Sequence, residues 1–407
     1  NGWHYVQIDK TITEYTVLTY DYFGDFEAEW HGIGFDTDTN YDGKHIFQLE
    51  GTQTFGLQAY DGAYTGGWQT YSIAVGEHFT GDFANLVLAV DDDAGVGGVA
   101  SFRNISFEEV LPPETYTPQD PLYAQQWHLA AMGALEEIWA DYTGDGVKVG
   151  IYDDGVQYTH HDLDDNYDAS LHAVWNGTAL DPATGAATHG TAVAGIIAAE
   201  NNGEGAVGIA FDATIAGVNM IDGPAGAGSA DLEVFEAAML QMANFDVVNH
   251  SWGSTPGFLA DSPPPADFFA TALPTFEFAA TWGRDGLGTV MVKSAGNDTS
   301  NSQGDLLDAS RFSITVAAVG ESGDASWYSN YGANVLVAGP SSGGFTNDGG
   351  ILTTDRLGNE GYAAGDYTGN DAFTGFGGTS AAAPMVTGAV ALMLEAAPTL
   401  GWRDVQN

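Results

Sequence analysis

Four polar residues in this chain of 407 residues could together carry out nucleophilic catalysis. Asp153 follows an apolar, strand-like segment, and His189 opens a helix-like segment of small residues. Asn297 lies in a loop after a second apolar segment, and Ser380 follows a glycine turn at the start of a long apolar helix. A serine nucleophile, a histidine base and a carboxylate that orients the base form a catalytic triad, and an asparagine amide can stabilise an oxyanion.

Each of these residues also has a plain structural interpretation. Asp153 could be a turn residue, and His189 could be a helix cap. Asn297 could simply form a loop, and a serine in the position of Ser380 is ordinarily a helix N-cap. Four such residues, each at a strand end or a helix start, are harder to explain as independent coincidences. Open α/β sheets build their sites at the carboxyl ends of their strands, so the arrangement favours catalysis.

Two strands and two helices must position these side chains. Residues 147–152 and 288–294 have the length and apolar composition of buried strands. Residues 192–199 and 381–395 have the composition of buried helices, and the second shows apolar residues at helical spacing. Pro384 is expected in the first turn of that second helix, where its missing N–H costs little.

The order Asp, His, Ser along the chain is that of subtilisin. Residues 120–407 resemble the subtilisin-like serine peptidases, and more closely their kexin branch. The matching motifs are Asp-Pro-Leu-Tyr at 120–123, Gln-Trp-His-Leu at 126–129, Asp-Asp-Gly at 153–155, Ser-Trp-Gly at 251–253, Trp-Tyr-Ser at 327–329 and Trp-Arg-Asp-Val-Gln at 402–406. The resemblance implies a three-layer α/β domain with a mainly parallel sheet. It also implies a triad of Asp153, His189 and Ser380, with Asn297 and the Ser380 backbone N–H as the oxyanion hole. It assigns no role to Asp154.

The same resemblance implies that protein or peptide substrates are the partners of this domain. An extended peptide would add to a strand edge formed by Ser251, Trp252 and Gly253. The pocket for the residue before the cleaved bond would be walled by Ser294, Ala295 and Gly296. Kexins carry an acidic run after Ser-Trp-Gly that helps to select basic residues, and Ser-Thr-Pro-Gly replaces it here at 254–257. Strict dibasic specificity is therefore not expected, although Asp305 could still supply one carboxylate to the pocket.

A structural Ca²⁺ ion is also implied by the kexin resemblance. Its ligands would be the side chains of Asp120, Asp162 and Asn202 and backbone carbonyls at Glu204 and Ala206. A second calcium site of that branch is not expected, because Asn330 stands where the family has a glutamate after Trp-Tyr-Ser.

The first 110 residues contain no helix-like segment. Aromatic and β-branched runs at 15–22, 45–49, 68–75, 85–90 and 101–107 predict an antiparallel β-sandwich of jelly-roll type. Residues 32–38, 68–71 and 91–93 resemble carbohydrate-binding-type sandwich modules. Two interpretations of the Trp and Tyr residues stay open: exposed rings would bind polysaccharide, and buried rings would fill the core. The acidic residues Asp36, Asp38 and those at 91–93 either share a Ca²⁺ ion or form turns.

We therefore expect a β-sandwich at 1–110, a proline-rich linker at 111–119 and a peptidase domain at 120–407. The chain begins without Met and stops inside the last helix that the resemblance implies. A processed or partial form of a longer protein, with the peptidase domain truncated at its C-terminal end, is the expectation.

The charge balance restricts the partners of this chain. Nine Lys and Arg residues against 55 Asp and Glu give a net charge of −46, which argues against nucleic acid or an anionic membrane. No stretch is expected to reach the length of a membrane span. There is no cysteine, and bound Ca²⁺ can supply rigidity in place of disulfides. An acidic surface is typical of salt-adapted or marine proteins, so we expect a secreted or cell-surface bacterial protein.

The chain is thus predicted to be a secreted serine endopeptidase. The contrary hypothesis is a non-catalytic surface or adhesion protein that uses a protease fold as a scaffold. A scaffold has no need to keep Asp153, His189, Asn297 and Ser380 together, which favours the enzyme.

Overall fold

The computed structural model describes residues 2–24, 29–40, 43–91, 98–183, 186–221, 223, 232–253, 266–343 and 349–407. The chain divides into two compact units, Asn1–Pro113 and Glu114–Asn407. Each unit has its own sheets and its own hydrophobic core.

The first unit is built from antiparallel strands. Those described are β1 (Gly2–Ile12), β2 (Thr16–Gly24), β3 (Trp30–Asp36), β4 (Ile46–Gly51), β5 (Gln69–Ala74), β6 (Gly81–Asp91) and β7 (Ala100–Glu109). They form a four-stranded sheet in the order β1-β6-β3-β4 and a three-stranded sheet in the order β5-β2-β7. Side chains of a strand alternate between its two faces, so β2 buries Leu18, Tyr20 and Tyr22 in the core.

The structure confirms the antiparallel sheets and all five predicted strands of this unit, and adds β1 and β3. Strand β3 does not show the alternation of apolar and polar residues that predicts a strand, because it is buried along its whole length and contains two glycines. Gly34 is needed there, since a Cβ would collide with the carbonyl oxygen of His45. The jelly-roll connection of the strands stays a prediction.

Two aspartates of the predicted acidic cluster in the first unit, Asp36 and Asp38, accept hydrogen bonds from backbone N–H groups two residues later. Asp36 Oδ1 accepts from the N–H of Asp38 at 3.1 Å, and Asp38 Oδ1 accepts from the N–H of Asn40 at 2.7 Å. These bonds are typical of Asx turns. Residues 92 and 93 of the same cluster lie outside the described residues.

A parallel sheet of six strands organises the second unit, in the order β11-β8-β12-β13-β14-β15. Its strands are β8 (Lys148–Asp153), β11 (Thr214–Asn219), β12 (Val247–His250), β13 (Val290–Ser294), β14 (Ser313–Val319) and β15 (Val335–Pro340). A small antiparallel pair is formed by β9 (Val174–Trp175) and β10 (Thr178–Ala179). Because β8, β12 and β13 are parallel neighbours, Asp153, Ser251 and Ser294 lie at the same edge of the sheet.

Helices cover both faces of this sheet. They are α1 (Trp127–Ala131), α2 (Leu135–Ile138), α3 (Thr188–Ala198), α4 (Leu232–Leu240), α5 (Ala266–Trp282), α6 (Thr379–Ala396) and α7 (Trp402–Gln406). Helices α3 and α6 share one hydrophobic cluster with Val149 and Ile151 of β8. Helices α4 and α5 share a second cluster with Tyr152 of β8 and Val248 of β12. The unit therefore has three layers, as predicted.

Helix α6 begins two residues before the predicted start, which places Pro384 at its sixth position rather than in its first turn. A proline there has no N–H to donate to the carbonyl of Ser380, four residues earlier. That carbonyl instead accepts a hydrogen bond from Ser251 Oγ at 2.9 Å. The helix tolerates the proline because a hydroxyl from another element satisfies the freed oxygen.

Among the described helices, α6 alone is long and apolar enough to cross a membrane by length and composition. The expectation that no stretch reaches that length is therefore wrong. Of its apolar window, 72% is buried inside the structure. Packing in the core accounts for this composition.

Candidate active site

The sheet and α3 bring Asp153 and His189 into direct contact. Asp153 ends β8 and is fully buried, and its Oδ1 lies 2.7 Å from Nδ1 of His189. Gly190 permits this approach, because a Cβ there would collide with the carbonyl oxygen of Gly155 and come within 3.0 Å of the Asp153 Cβ. A histidine whose Nδ1 is bonded to a carboxylate keeps Nε2 as the basic nitrogen.

The surroundings of His189 make it a stronger base than a free histidine. Burial opposes the charged imidazolium form, but the charge of Asp153, its hydrogen bond and the charge of Asp154 outweigh burial and raise the pKa of His189. The ring also lies edge-on to Phe376, with 5.1 Å between the ring centroids. This arrangement suits general base catalysis.

Asp154, which the sequence left without a role, holds the N-terminus of α3. Its Oδ2 accepts from the N–H groups of Thr188 and His189, each at 3.1 Å, and its Oδ1 accepts from Gly190 N–H at 2.7 Å. The first N–H groups of a helix have no partners within it, and this positive end favours a carboxylate. Asp154 therefore fixes the backbone that carries His189.

Ser380 occupies the second position of α6 and is buried. Its Oγ donates a hydrogen bond to the backbone oxygen of Ser251 at 3.1 Å. In the described part of the chain no hydrogen bond joins Ser380 to His189. The structure thus brings Asp153 and His189 together, and it directs the Ser380 hydroxyl toward the end of β12.

The amide of Asn297 is oriented by residues next to Ser380. Its Oδ1 accepts from the N–H of Thr379 at 2.8 Å and from Thr379 Oγ1 at 2.9 Å. Its Nδ2 lies beside Gly378, 3.1 Å from the position that a Cβ would take. Gly378 has φ +76°, a conformation that favours glycine. The oxygen is therefore occupied, and the N–H₂ group stands beside the turn that leads to Ser380.

Asn330 holds the loop that carries Asn297, a role that the sequence did not indicate. Its Oδ1 accepts from the N–H groups of Asp298 and Ser300, both at 2.9 Å. Its Nδ2 donates to the carbonyl of Ala295 at 2.9 Å. In the sequence, Asn330 stands only as the replacement of a calcium ligand. Its contacts with a loop about thirty residues earlier leave no local sequence pattern.

The two predicted substrate-contacting segments both form hydrogen bonds with the N-terminus of α6. Residues 251–253 follow β12, and Ser251 exchanges hydrogen bonds with Ser380. Residues 294–296 begin at the end of β13, and Gly296 N–H donates to Thr379 Oγ1 at 3.1 Å. Ser251, Ser294 and Ala295 are buried, whereas Gly253 is exposed and Trp252 half-buried. Residues 254–257, the replacement of the acidic run, lie outside the described residues.

The predicted calcium ligands surround one loop. Asp120 Oδ1 accepts from Gly203 N–H at 3.0 Å, and Asp162 Oδ2 accepts from Ala206 N–H at 3.1 Å. Asn202 Oδ1 accepts from Glu204 N–H at 2.8 Å. The second oxygens of both carboxylates, Asp120 Oδ2 and Asp162 Oδ1, are buried without a hydrogen-bond partner. Such orphaned oxygens fit a bound cation.

Burial raises the pKa of Asp162 to about 8, and the charges of Asp120 and Glu200 add to this against the hydrogen bonds from Ala206 and Tyr367. A cation bound beside this carboxyl group would favour its ionised form. Among the described residues, no group of three or more His, Cys, Asp or Glu side chains is arranged to hold a metal ion. A cation here would rely on amide and carbonyl oxygens as well as on the two carboxylates.

Comparison with known proteins adds a family. Residues 144–407 match the model of the Subtilase family. Furin-like protease 2 of Drosophila melanogaster is 34% identical over 322 residues, which cover 75% of this chain and 18% of that protein. Neuroendocrine convertase 2 of Caenorhabditis elegans is 32% identical over 315 residues, covering 72% of this chain and 45% of that protein. The chain thus spans less than half the length of these two relatives.

Solved structures agree on the fold. A serine protease of Aeromonas sobria matches with a TM-score of 0.60 and 25% identity, covering 74% of this chain and 59% of that one. A protease of Pseudoalteromonas arctica matches with a TM-score of 0.54 and 29% identity, covering 72% of this chain and 91% of that one.

Proposed function

Because the chain belongs to the Subtilase family, we propose that it is a serine endopeptidase in which Ser380 is the nucleophile, His189 the general base and Asp153 the residue that orients the base. The observation that carries this proposal is the 2.7 Å contact between Asp153 Oδ1 and His189 Nδ1. It lies at the end of β8, and the end of the neighbouring strand β12 is hydrogen-bonded to the N-terminus of α6. The kexin-like relatives, at 32–34% identity, support the same reaction.

In the proposed reaction, His189 Nε2 takes the hydroxyl proton as Ser380 Oγ attacks the scissile carbonyl. The developing oxyanion accepts from Asn297 Nδ2 and from the Ser380 N–H, one of the unpaired donors at the start of α6. His189 then gives the proton to the leaving amine, and an acyl-enzyme remains. Water, deprotonated by His189, attacks the ester and releases the acid and Ser380.

The hydroxyl of Ser380 has to turn from Ser251 toward His189 before attack. In the proposal, a rotation about the Ser380 Cα–Cβ bond redirects the hydroxyl, and α6 stays in place. Catalytic hydrogen bonds are often loose or misdirected without substrate and tighten in the substrate complex, which is consistent with the bond to Ser251.

A fluorophosphonate probe distinguishes the enzyme from a non-catalytic surface or adhesion protein with the same fold. The enzyme should form a covalent adduct that peptide mapping places on Ser380, and Ser380→Ala should form none. A folded wild-type protein that takes up no label would instead support the scaffold hypothesis.

Removal of the Asp154 charge should move the acid limb of kcat/KM to lower pH. The Asp154 charge is one of the causes that raise the pKa of His189, and only neutral His189 can act as a base. Asp154→Asn removes the charge and keeps one of the two oxygens that accept from the α3 N–H groups. The His189 pKa should therefore fall, and activity should appear at a lower pH. The measurement is kcat/KM against pH on one peptide substrate.

The exposed Asp141→Asn is the matched control for Asp154→Asn and should leave the acid limb in place. A midpoint that stays fixed or rises in Asp154→Asn would show that Asp154 does not act on His189 electrostatically. Melting curves of both variants report the separate loss of helix capping.

We assign a structural Ca²⁺ ion to the loop 200–206, held by the side chains of Asp120, Asp162 and Asn202 and by the carbonyls of Glu204 and Ala206. The two buried orphaned carboxylate oxygens support this assignment. The ion would neutralise two carboxylates that otherwise repel each other in the interior and would tie residue 120 to this loop.

Chelation of Ca²⁺ should therefore lower the melting temperature of the protein and speed its autolysis. A ligand that binds only the folded state stabilises it by about 2.7 kcal/mol when its concentration is a hundred times its Kd. Differential scanning calorimetry with EDTA, and then with excess Ca²⁺, measures the effect. Asp162→Asn should abolish the response to Ca²⁺, and the neighbouring exposed Asp164→Asn should keep it. A wild-type melting curve that EDTA leaves unmoved would exclude the site.

We propose that residues 1–110 form an accessory domain of jelly-roll type, joined by the linker 111–119 to the peptidase domain at 120–407. Trp68 supports a carbohydrate-binding role, because it is 45% exposed. One face of its ring is covered by the Arg103 guanidinium, 3.9 Å from the ring centroid. Trp30, by contrast, is buried, which supports the core interpretation for that ring.

The acidic composition of the whole chain supports action outside the cell in salt-rich surroundings.

A further inference from the structure

Lys293 is a fully buried lysine between the two predicted substrate-contacting segments. It lies in β13 and is followed directly by residues 294–296. Its Nζ donates to the backbone oxygen of Trp252 at 2.8 Å and lies 5.5 Å from the centroid of the Trp252 ring. A Cβ on Gly253 would lie 3.2 Å from the same nitrogen. The ammonium group therefore contacts residues 252 and 253 from the strand that supplies the other wall.

Two buried carboxylates compensate this cation. Asp308 Oδ1 lies 2.7 Å from Lys293 Nζ. Asp305, the carboxylate that the sequence suggested for the pocket, is buried next to them, and its Oδ1 accepts from the N–H groups of Leu307 at 2.8 Å and Asp308 at 3.2 Å. Burial opposes the charge on Lys293, but Asp308 and Asp305 outweigh it and raise the pKa of the lysine.

His250 adds no second cation to this cluster. It is the cross-strand partner of Lys293 in the parallel pair β12 and β13. Burial and the charge of Lys293 lower the pKa of His250 to about 3, so the imidazole is neutral. Among the described residues, the charged groups around Nζ are thus the ammonium group itself and the carboxylates of Asp308 and Asp305. One oxygen of Asp305 accepts from two backbone N–H groups.

We propose that Lys293 is a specificity-determining residue: its ammonium group takes the place against the buried carboxylates that a basic substrate side chain would take, so the pocket selects an uncharged residue before the cleaved bond. This inference rests on the proposed peptidase function. A substrate Arg or Lys between residues 251–253 and 294–296 would bring a second positive charge close to Lys293 Nζ. Like charges at short range in a site with little water repel strongly and disfavour the wrong partner.

The test compares kcat/KM for peptides that differ only in the residue before the cleaved bond, with Arg, Lys, Leu or Phe at that position. Wild type should cleave after Leu or Phe more than about tenfold faster than after Arg. Lys293→Met keeps the length of the apolar stem and removes the charge, and it should raise the Arg-to-Leu ratio by about tenfold or more. The exposed Lys148→Met is the matched control and should leave the ratio unchanged.

Equal or faster cleavage after Arg by the wild-type enzyme would overturn the inference, as would a folded Lys293→Met with an unchanged ratio. Loss of Lys293 alone leaves Asp308 buried without its cation, which can prevent folding. The double variant Lys293→Met/Asp308→Asn removes both charges and should still raise the ratio, because the repelling cation is gone and Asp305 remains. If neither variant folds, the wild-type ratio of kcat/KM after Leu to kcat/KM after Arg alone decides whether the inference stands.

Fluorophosphonate labelling separates this inference from the proposed function. Labelled wild type that prefers Arg overturns only the role of Lys293, whereas wild type that neither labels nor cleaves any of the peptides overturns both.

Discussion

Ser380→Ala and His189→Ala should each lower kcat by a factor on the order of 10⁶, the loss known for the corresponding residues of subtilisin, and the double variant should lose little more. The reason is that the two side chains act in one step: without the serine there is no proton for the histidine to take, and without the histidine the serine stays protonated. The measurement is kcat on a peptide substrate for the two single variants and the double variant.

The exposed Ser170→Ala is the control for these variants, and melting curves must show that all of them fold. Losses that multiply in the double variant would contradict a shared step. Substantial activity in Ser380→Ala would mean that another residue is the nucleophile.

Asn297→Ala should lower kcat by about 10²–10³-fold and leave KM nearly unchanged, since the oxyanion exists only near the transition state. Steady-state kinetics on the same peptide separates the two constants. The exposed Asn244→Ala should change neither. A variant that mainly raises KM would indicate that Asn297 binds the ground state or supports the loop rather than the oxyanion.

The acceptor bonds of Asn297 complicate that variant, because its Oδ1 also receives two hydrogen bonds from Thr379. Thr379→Val removes the hydroxyl donor and keeps the Asn297 amide. If the amide itself stabilises the oxyanion, Thr379→Val should cost much less in kcat than Asn297→Ala.

Local patterns in the sequence were sufficient to predict the elements that carry the candidate site. Asp153 stands out because an apolar strand of ordinary length ends on it, and Ser380 stands out because a glycine turn precedes a long apolar helix. These signals lie within a few residues of the site, and the structure places β8 and α6 close to the predicted bounds. The family's parallel sheet then follows from the order of strands and helices.

Contacts between distant segments could not be predicted in this way. Asp154 caps a helix that starts more than thirty positions later in the chain. Asn330 accepts from a backbone N–H of the loop that carries Asn297, about thirty positions earlier. Lys293 lies within the predicted apolar strand 288–294, and Asp308 and Trp252 allow its charged group to be buried there. Burial of each of these polar groups would be unfavourable without the partner that the fold brings to it.

Pro384 affects how Ser380 is held against the end of β12. By removing one bond inside α6, it frees the Ser380 carbonyl for the Ser251 hydroxyl, and the Ser380 hydroxyl in turn bonds the Ser251 carbonyl. Parting α6 from the end of β12 would leave these buried groups unpaired, at about 1–3 kcal/mol for each. Thermal fluctuations should therefore displace the turn at Ser380 and residues 251–253 together, with linked protection of their amides against hydrogen exchange. A regular helix at this point would pair the Ser380 carbonyl within α6, and only the bond from the Ser380 hydroxyl to the Ser251 carbonyl would then join the two segments.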